Sequence, residues 1–174
     1  GYTNSGKSSL LNTLTDANVL QEDKLFATLD PTTRKVELPN NQQMLLTDTV
    51  GFIRKLPTTL VEAFKSTLEE SVIADFLLHV VDCSHPQALD HIRTTNEILE
   101  ELGAADKTTL LVLNKVDLVA DRAELRRFEG LADYILPTST VTGEGIAELL
   151  GAIASLLSET LADLRLCIPT TRFD

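Results

Sequence analysis

The sequence predicts an α/β fold in three layers, a mostly parallel sheet with helices on both faces. Three observations point there. Short segments rich in β-branched residues and leucine alternate with longer segments of helical periodicity, the pattern of strand–helix–strand units. Two strand candidates, FLLHVVD (76–82) and TLLVLN (109–114), are nearly continuous apolar runs, as expected of strands covered on both faces. The chain also opens on a glycine-containing loop, GYTNSGKSSL, that leads directly into a helical segment.

Taken in order, a helix is expected over 7–15, strands over 34–38 (RKVEL) and 43–48 (QMLLTD), and a helix over 59–73. The strand 76–82 is followed by a helix over 87–102, for which Pro86 suits the first turn and Gly103 fits just past the end. After the strand 109–114 come a helix over 121–129, a strand over 134–137 (YILP) and a last helix over 144–160. In that helix Ile146, Leu149, Leu150, Ile153, Leu156 and Leu157 recur at helical spacing and form one apolar face. Residues 164–168 (LRLCI) read as one more short strand, ended by Pro169.

A loop of the opening type normally follows a buried strand, and here nothing precedes Gly1. The expectation is therefore one domain over 1–160 lacking its first, central strand, with 161–174 the start of a truncated C-terminal segment. The slot left between the strands ending at Asp48 and Asp82 is expected to expose Leu45, Leu46, Leu78 and Val80 with their backbone groups.

The 174 residues are 43% hydrophobic and 24% charged, ordinary for a globular protein with a real core. No apolar run reaches the length of a membrane span. Cys83 and Cys167 match no metal spacing and read as reduced thiols of a cytoplasmic protein. The net charge of −11 argues against non-specific nucleic-acid binding. Residues 24–65 nevertheless carry six basic and four acidic residues, a window of +2 within a chain that is otherwise −13. Its two readings are a solvated surface and an anion-facing patch.

Four short signals carry chemistry. Gly1-Tyr2-Thr3-Asn4-Ser5-Gly6-Lys7-Ser8 matches G-x-x-x-x-G-K-[ST]. Its glycines let backbone N–H groups face phosphate oxygens, Lys7 brings positive charge to the β- and γ-phosphates, and Ser8 offers a hydroxyl to Mg²⁺. Asp48-Thr49-Val50-Gly51 ends an apolar strand. Asp48 there can hold a Mg²⁺ water, and the Gly51 N–H can meet a γ-phosphate. Asn114-Lys115-Val116-Asp117 follows the strand 109–114. The Asp117 carboxylate can accept both N1–H and N2–H of guanine, a donor pair adenine lacks, while Asn114 and Lys115 brace the loop and cover the base. Thr138-Ser139-Thr140-Val141 precedes the last helix, and a backbone N–H there can donate to guanine O6. Thr140 stands where GTPases usually carry alanine, a departure that a backbone contact survives unless the added bulk crowds the base.

Each signal alone has a bland reading as a turn. All four occur once, in order and at strand ends, as a P-loop GTPase of the Ras-like fold requires. GTP or GDP with Mg²⁺ is the expected ligand. The residue after D-x-x-G, where many GTPases place a water-orienting glutamine, is Phe52. Ile53 cannot substitute, and none of His79, His85 and His91 is motif-placed. Hydrolysis is expected to be slow without a partner. Asn4 has two readings: it holds a K⁺ ion, as the similarly placed asparagine of potassium-stimulated GTPases does, or its amide braces the loop.

Three longer stretches, GYTNSGKSSLLN, LFATLDPTTR (25–34) and DTVGFIRKLPTTLVEAFKSTLEE (48–70), resemble the HflX family of ribosome-associated GTPases. The resemblance covers essentially the whole chain but only the G domain of that family. It implies that Thr28, within Phe26-Ala27-Thr28-Leu29-Asp30, is the loop threonine that reaches Mg²⁺ and the γ-phosphate. The residues alone leave Thr28, Thr32 and Thr33 as rivals. It further implies a switch that binds the large ribosomal subunit, RNA and protein, and splits or rescues stalled ribosomes; a monomer is expected beside it. The basic window suits that partner. Two alternatives stand beside this reading: a nucleotide-dependent binding module that turns over too slowly for hydrolysis to matter, and the G domain of a tRNA-modifying or iron-transport GTPase.

Overall fold

A computed structural model describes residues 2, 4–15, 32–49 and 71–160. Its elements are α1 (Lys7–Thr15), β1 (Thr32–Glu37), β2 (Gln43–Asp48), β3 (Leu77–Asp82), α2 (Ala88–Glu101), β4 (Thr109–Asn114), β5 (Tyr134–Pro137) and α3 (Ile146–Thr160). Two 3₁₀ segments, Val116–Leu118 and Arg122–Phe128, lie between β4 and β5.

The described strands form two sheets. β1 and β2 are an antiparallel hairpin in which Thr32 faces Asp48 and Glu37 faces Gln43. β3, β4 and β5 are parallel with β4 in the middle, and the β3–β4 register sets Asp82 opposite Asn114.

β4 explains why residues 110–113 are apolar without a break. Leu110 and Val112 enter one core with Leu10 and Leu14 of α1, Val36 and Met44 of the hairpin, and Leu149 and Ile153 of α3. Leu111 and Leu113 enter a second core on the other face with Val81, Ile92 of α2 and Phe128. Side chains alternate across a strand, so burial on both faces leaves no polar position among residues 110–113. Each such residue contributes about 1.5–3 kcal/mol on burial. The first core also joins the two sheets, because the hairpin and the parallel strands bury side chains against the same helices.

α2 buries Ala88, Ile92, Thr95 and Leu99 along one face. It ends as Gly103 predicts: Gly103 takes φ +72°, Ala104 N–H donates to Leu99 O at 2.8 Å and Gly103 N–H to Glu100 O at 3.0 Å, a left-handed cap that satisfies two terminal carbonyls. Pro86 lies before the N-cap Gln87, not in the first turn.

Three expectations are corrected. The first strand starts at Thr32, two residues early. Residues 122–128 are 3₁₀ instead of α-helical, since of these seven only Phe128 is buried and no apolar face is available to hold an α-helix against the sheet. Of the four side chains expected in the slot, Leu45 is exposed, but Leu46 and Leu78 pack against the first core and Val80 lies inside it, because they point to a covered face and not along the sheet edge. The strand 164–168 and residues 59–70 of the expected helix 59–73 lie outside the described residues; 71–73 are helical. None of the helices among the described residues is long and apolar enough to cross a membrane.

Candidate functional site

The opening loop and the ends of β2, β4 and β5 converge. Among the loop's described residues, Asn4 takes φ +61° and Gly6 φ +91°, and Lys7 starts α1. Gly6 is required twice over: its φ favours glycine, and a Cβ there would collide with the amide nitrogen of Asn114. That amide nitrogen donates to Ser5 O at 3.0 Å. The loop is thus fastened to the end of β4.

Within the loop, the Tyr2 carbonyl is a hub. It accepts from Ser5 Oγ at 2.8 Å and from Lys7 Nζ at 2.9 Å. Burial pushes the Lys7 ammonium down to about 8, and nearby Asp48 offsets part of that shift. Ser8 Oγ donates to Asp48 Oδ2 at 3.2 Å, so the helix start meets the end of β2. Thr49 follows, half-buried. Gly1, Thr3, Phe26, Ala27, Thr28, Leu29, Asp30, Val50, Gly51 and Phe52 lie outside the described residues.

At the other end, Asn114, Thr138 and Ser139 are fully buried. Lys115 turns the chain with φ +65°, and Val116 enters the second core while its N–H donates to Thr138 O at 3.1 Å. Asp117 stays exposed, with Oδ1 accepting from Ser139 Oγ at 2.5 Å. Ser139 Oγ also accepts from the N–H groups of Val141 and Thr142 at 3.3 and 3.1 Å, and Thr140 N–H points to Asn114 Oδ1 at 3.4 Å. Val141 itself is exposed. Gly145, at φ +73°, packs so closely that a Cβ would strike the Pro137 carbonyl.

Two groups here escape a sequence reading. Asp82, at the end of β3, pairs with Lys115 Nζ at 2.7 Å. Burial alone would raise its carboxyl, but hydrogen bonds from Lys115 and Ser84 outweigh that and hold it below 3.8. The signal was an acid in parallel register with Asn114. Arg122, on the second 3₁₀ segment, binds Glu144 at 2.8 Å and so ties the loop after β4 to the loop after β5.

All three histidines line one cavity of about 380 Å³ beside the loop, with Tyr2, Asn4 and Lys115. Burial pushes His79 well below 6.5, with the positive charge of Lys7 adding to the shift.

A family model described as 50S ribosome-binding GTPase matches residues 1–115. The chain is 53% identical over 178 residues to the GTPase HflX of Akkermansia muciniphila, covering 100% of the chain and 41% of that relative. With GTPase HflX of Escherichia coli the identity is 44% over 170 residues, covering 97% of the chain and 40% of the relative. The chain therefore spans well under half the length of these relatives. A GTP-binding protein from Sulfolobus solfataricus, solved in complex with GDP, superposes with a TM-score of 0.77 at 32% identity, covering 91% of the chain and 51% of that structure.

Proposed function

Because this chain belongs to the HflX family of GTPases, within the 50S ribosome-binding GTPases, we propose that it binds GTP and hydrolyses it to GDP and phosphate as a switch for the large ribosomal subunit, acting in the cytoplasm as a monomer. The observation that carries this reading is the joint at Asn114. One buried amide holds the opening loop through Ser5 O and faces the Thr140 N–H of the loop after β5, which supports reading the two loops as the phosphate and base ends of one nucleotide site.

On this reading Lys7 leaves the Tyr2 carbonyl for the β- and γ-phosphates, whose negative charge replaces a neutral acceptor. The backbone N–H groups of residues 4–8 and the start of α1 face the same phosphates. At the base, Asp117 keeps one oxygen on Ser139 and turns its carboxylate to guanine N1–H and N2–H, the Thr140 N–H meets O6, and Lys115 and Val141 flank the ring. The opposed hydroxyl and carboxylate of Ser8 and Asp48, both oxygen donors, fit Mg²⁺. Ser8 would hold it directly and Asp48 through water, with Thr28 joining in the GTP state. When bound, the ion neutralises charge developing on the phosphates. Asn4, exposed at positive φ, is open to a K⁺ ion as well as to a bracing role, and hydrolysis rates in KCl against NaCl separate the two.

Phe52 stands where a water-orienting glutamine is usual, so the proposal includes slow hydrolysis that a bound ribosomal subunit accelerates. Splitting or rescue of stalled ribosomes is the task proposed for the switch. Single-turnover cleavage of GTP, with and without 50S subunits, tests the reading. A rate that stays the same with subunits present favours the binding-module alternative, in which nucleotide state alone controls association.

A further inference from the structure

The loop's hub is also gripped from outside. The Tyr2 ring, 7% exposed, lies parallel to the His91 ring of α2, centroids 3.9 Å apart and planes 15° from parallel. His85 packs on the other neighbour of the stack, its ring 4.8 Å from that of His91 at a tilt of 34°. The His85 ring is itself held, since Nδ1 accepts from Gln87 N–H at 3.1 Å, and the His85 backbone N–H donates to Asp82 O at 3.2 Å. Asp82 in turn holds Lys115. A line of contacts thus runs from the base loop (Lys115, Asp82) through the His85 backbone, the tilted His85–His91 pair and the stacked His91–Tyr2 pair to the carbonyl on which Lys7 rests.

We propose that His91 is a positioning residue for the phosphate loop: its ring fixes the plane of Tyr2, and with it the place from which Lys7 is handed to phosphate. The inference rests on the nucleotide reading of the site. It follows from where rigidity is needed. Asn4 and Gly6 both sit at positive φ, and the Asn114 amide anchors the loop from below through Ser5 O. A flat ring pressed on Tyr2 supplies the second point of support, and two points are needed to fix the direction of a carbonyl. Stacked ring pairs stabilise by about 0.5–1.5 kcal/mol beyond their burial, so losing one should speed ligand release by about three- to tenfold.

The test is release of fluorescent mant-GDP from the intact protein, followed by stopped flow, for the parent, His91→Ala and His91→Phe. Guanosine competition is measured alongside, because guanosine reports the base end without phosphates. Expected is release about three- to tenfold faster in His91→Ala, restoration to within about twofold in His91→Phe, and unchanged guanosine affinity in both. The inference is overturned by parent-like release in His91→Ala, by failure of His91→Phe to restore slow release, or by guanosine affinity falling in step with that of GDP. A parent protein that retains no mant-GDP overturns the nucleotide reading itself, and the inference with it.

Discussion

At the base end, Asn114, Thr138 and Ser139 are wholly buried, and the loops they belong to are bonded to one another across three strand ends. At the phosphate end, Lys7 and Ser8 are only half-buried, and their hydrogen bonds go to Tyr2 O and Asp48, groups that a phosphate or a metal ion can relieve. On the proposed reading, the base-end side chains hold each other, whereas the phosphate-end side chains are held by groups that a ligand would replace. Substitutions at the first should therefore weaken fold and ligand together, and at the second ligand alone.

The sharpest way to break this comparison is Gly145→Ala. The added methyl meets the Pro137 backbone oxygen, which cannot step aside, whereas Gly143 has open space at a similar φ of +80°. Gly145→Ala should cost about 4 kcal/mol or more, and Gly143→Ala only the left-handed backbone penalty of about 1–2 kcal/mol. Equal urea midpoints for the two would mean that the loop after β5 yields freely.

Asp117→Asn marks the boundary between the two behaviours, because Asp117 belongs to the base end yet is exposed. GTP affinity should fall by about 3 kcal/mol and xanthosine nucleotides should gain relatively, as a charged acceptor for two donors becomes a neutral amide. Isothermal titration that finds unchanged GTP affinity removes Asp117 from the base contact.

Asn114→Ala against Lys7→Ala compares the two ends directly. The first removes a buried amide bonded to both loops and should cost about 2 kcal/mol of folding stability. The second removes an ammonium that burial disfavours, so the melt should shift by less than about 1 kcal/mol while nucleotide binding is lost. Destabilisation of similar size in both would make the phosphate end as structural as the base end.

The smallest effect concerns acid. The folded Asp82 carboxyl sits below 3.8, so the folded state binds fewer protons than the unfolded one as pH falls through that range. Its contribution is present above about pH 4 and is lost as pH drops through the folded value. Asp82→Asn should lower stability by about 1 kcal/mol at pH 7 and converge with the parent only as pH falls below the folded value of Asp82. A constant gap between the two melting curves would detach Asp82 from the Lys115 pair.

Much of this is legible in the amino-acid sequence. The strands 109–114 and 43–48 have the expected bounds because burial on one or both faces writes itself into side-chain alternation. The Gly103 cap and the Asn114-to-Asp117 turn are local, and local chemistry is readable. What escaped is non-local. Asp82 has an acid's ordinary look, and only parallel register sets it under Lys115. The three histidines come from a strand, a loop and a helix, so no spacing announces that they share a cavity. The segment 122–128 has helical letters, and its 3₁₀ form reflects how little of it the sheet can cover.

Cys83, next to Asp82, is 1% exposed and its Sγ donates to Asn114 O at 3.0 Å. Burial first, then the adjacent Asp82 charge, pushes the thiol up to about 11. At neutral pH about one molecule in ten thousand is then thiolate, the form that reacts. Disulfide reagents and alkylators should pass this thiol by while the strand ends stay shut, and modify it at a rate set by how often they part. The residue is a built-in clock for the parting of these strand ends, read by the rate at which a thiol reagent modifies it.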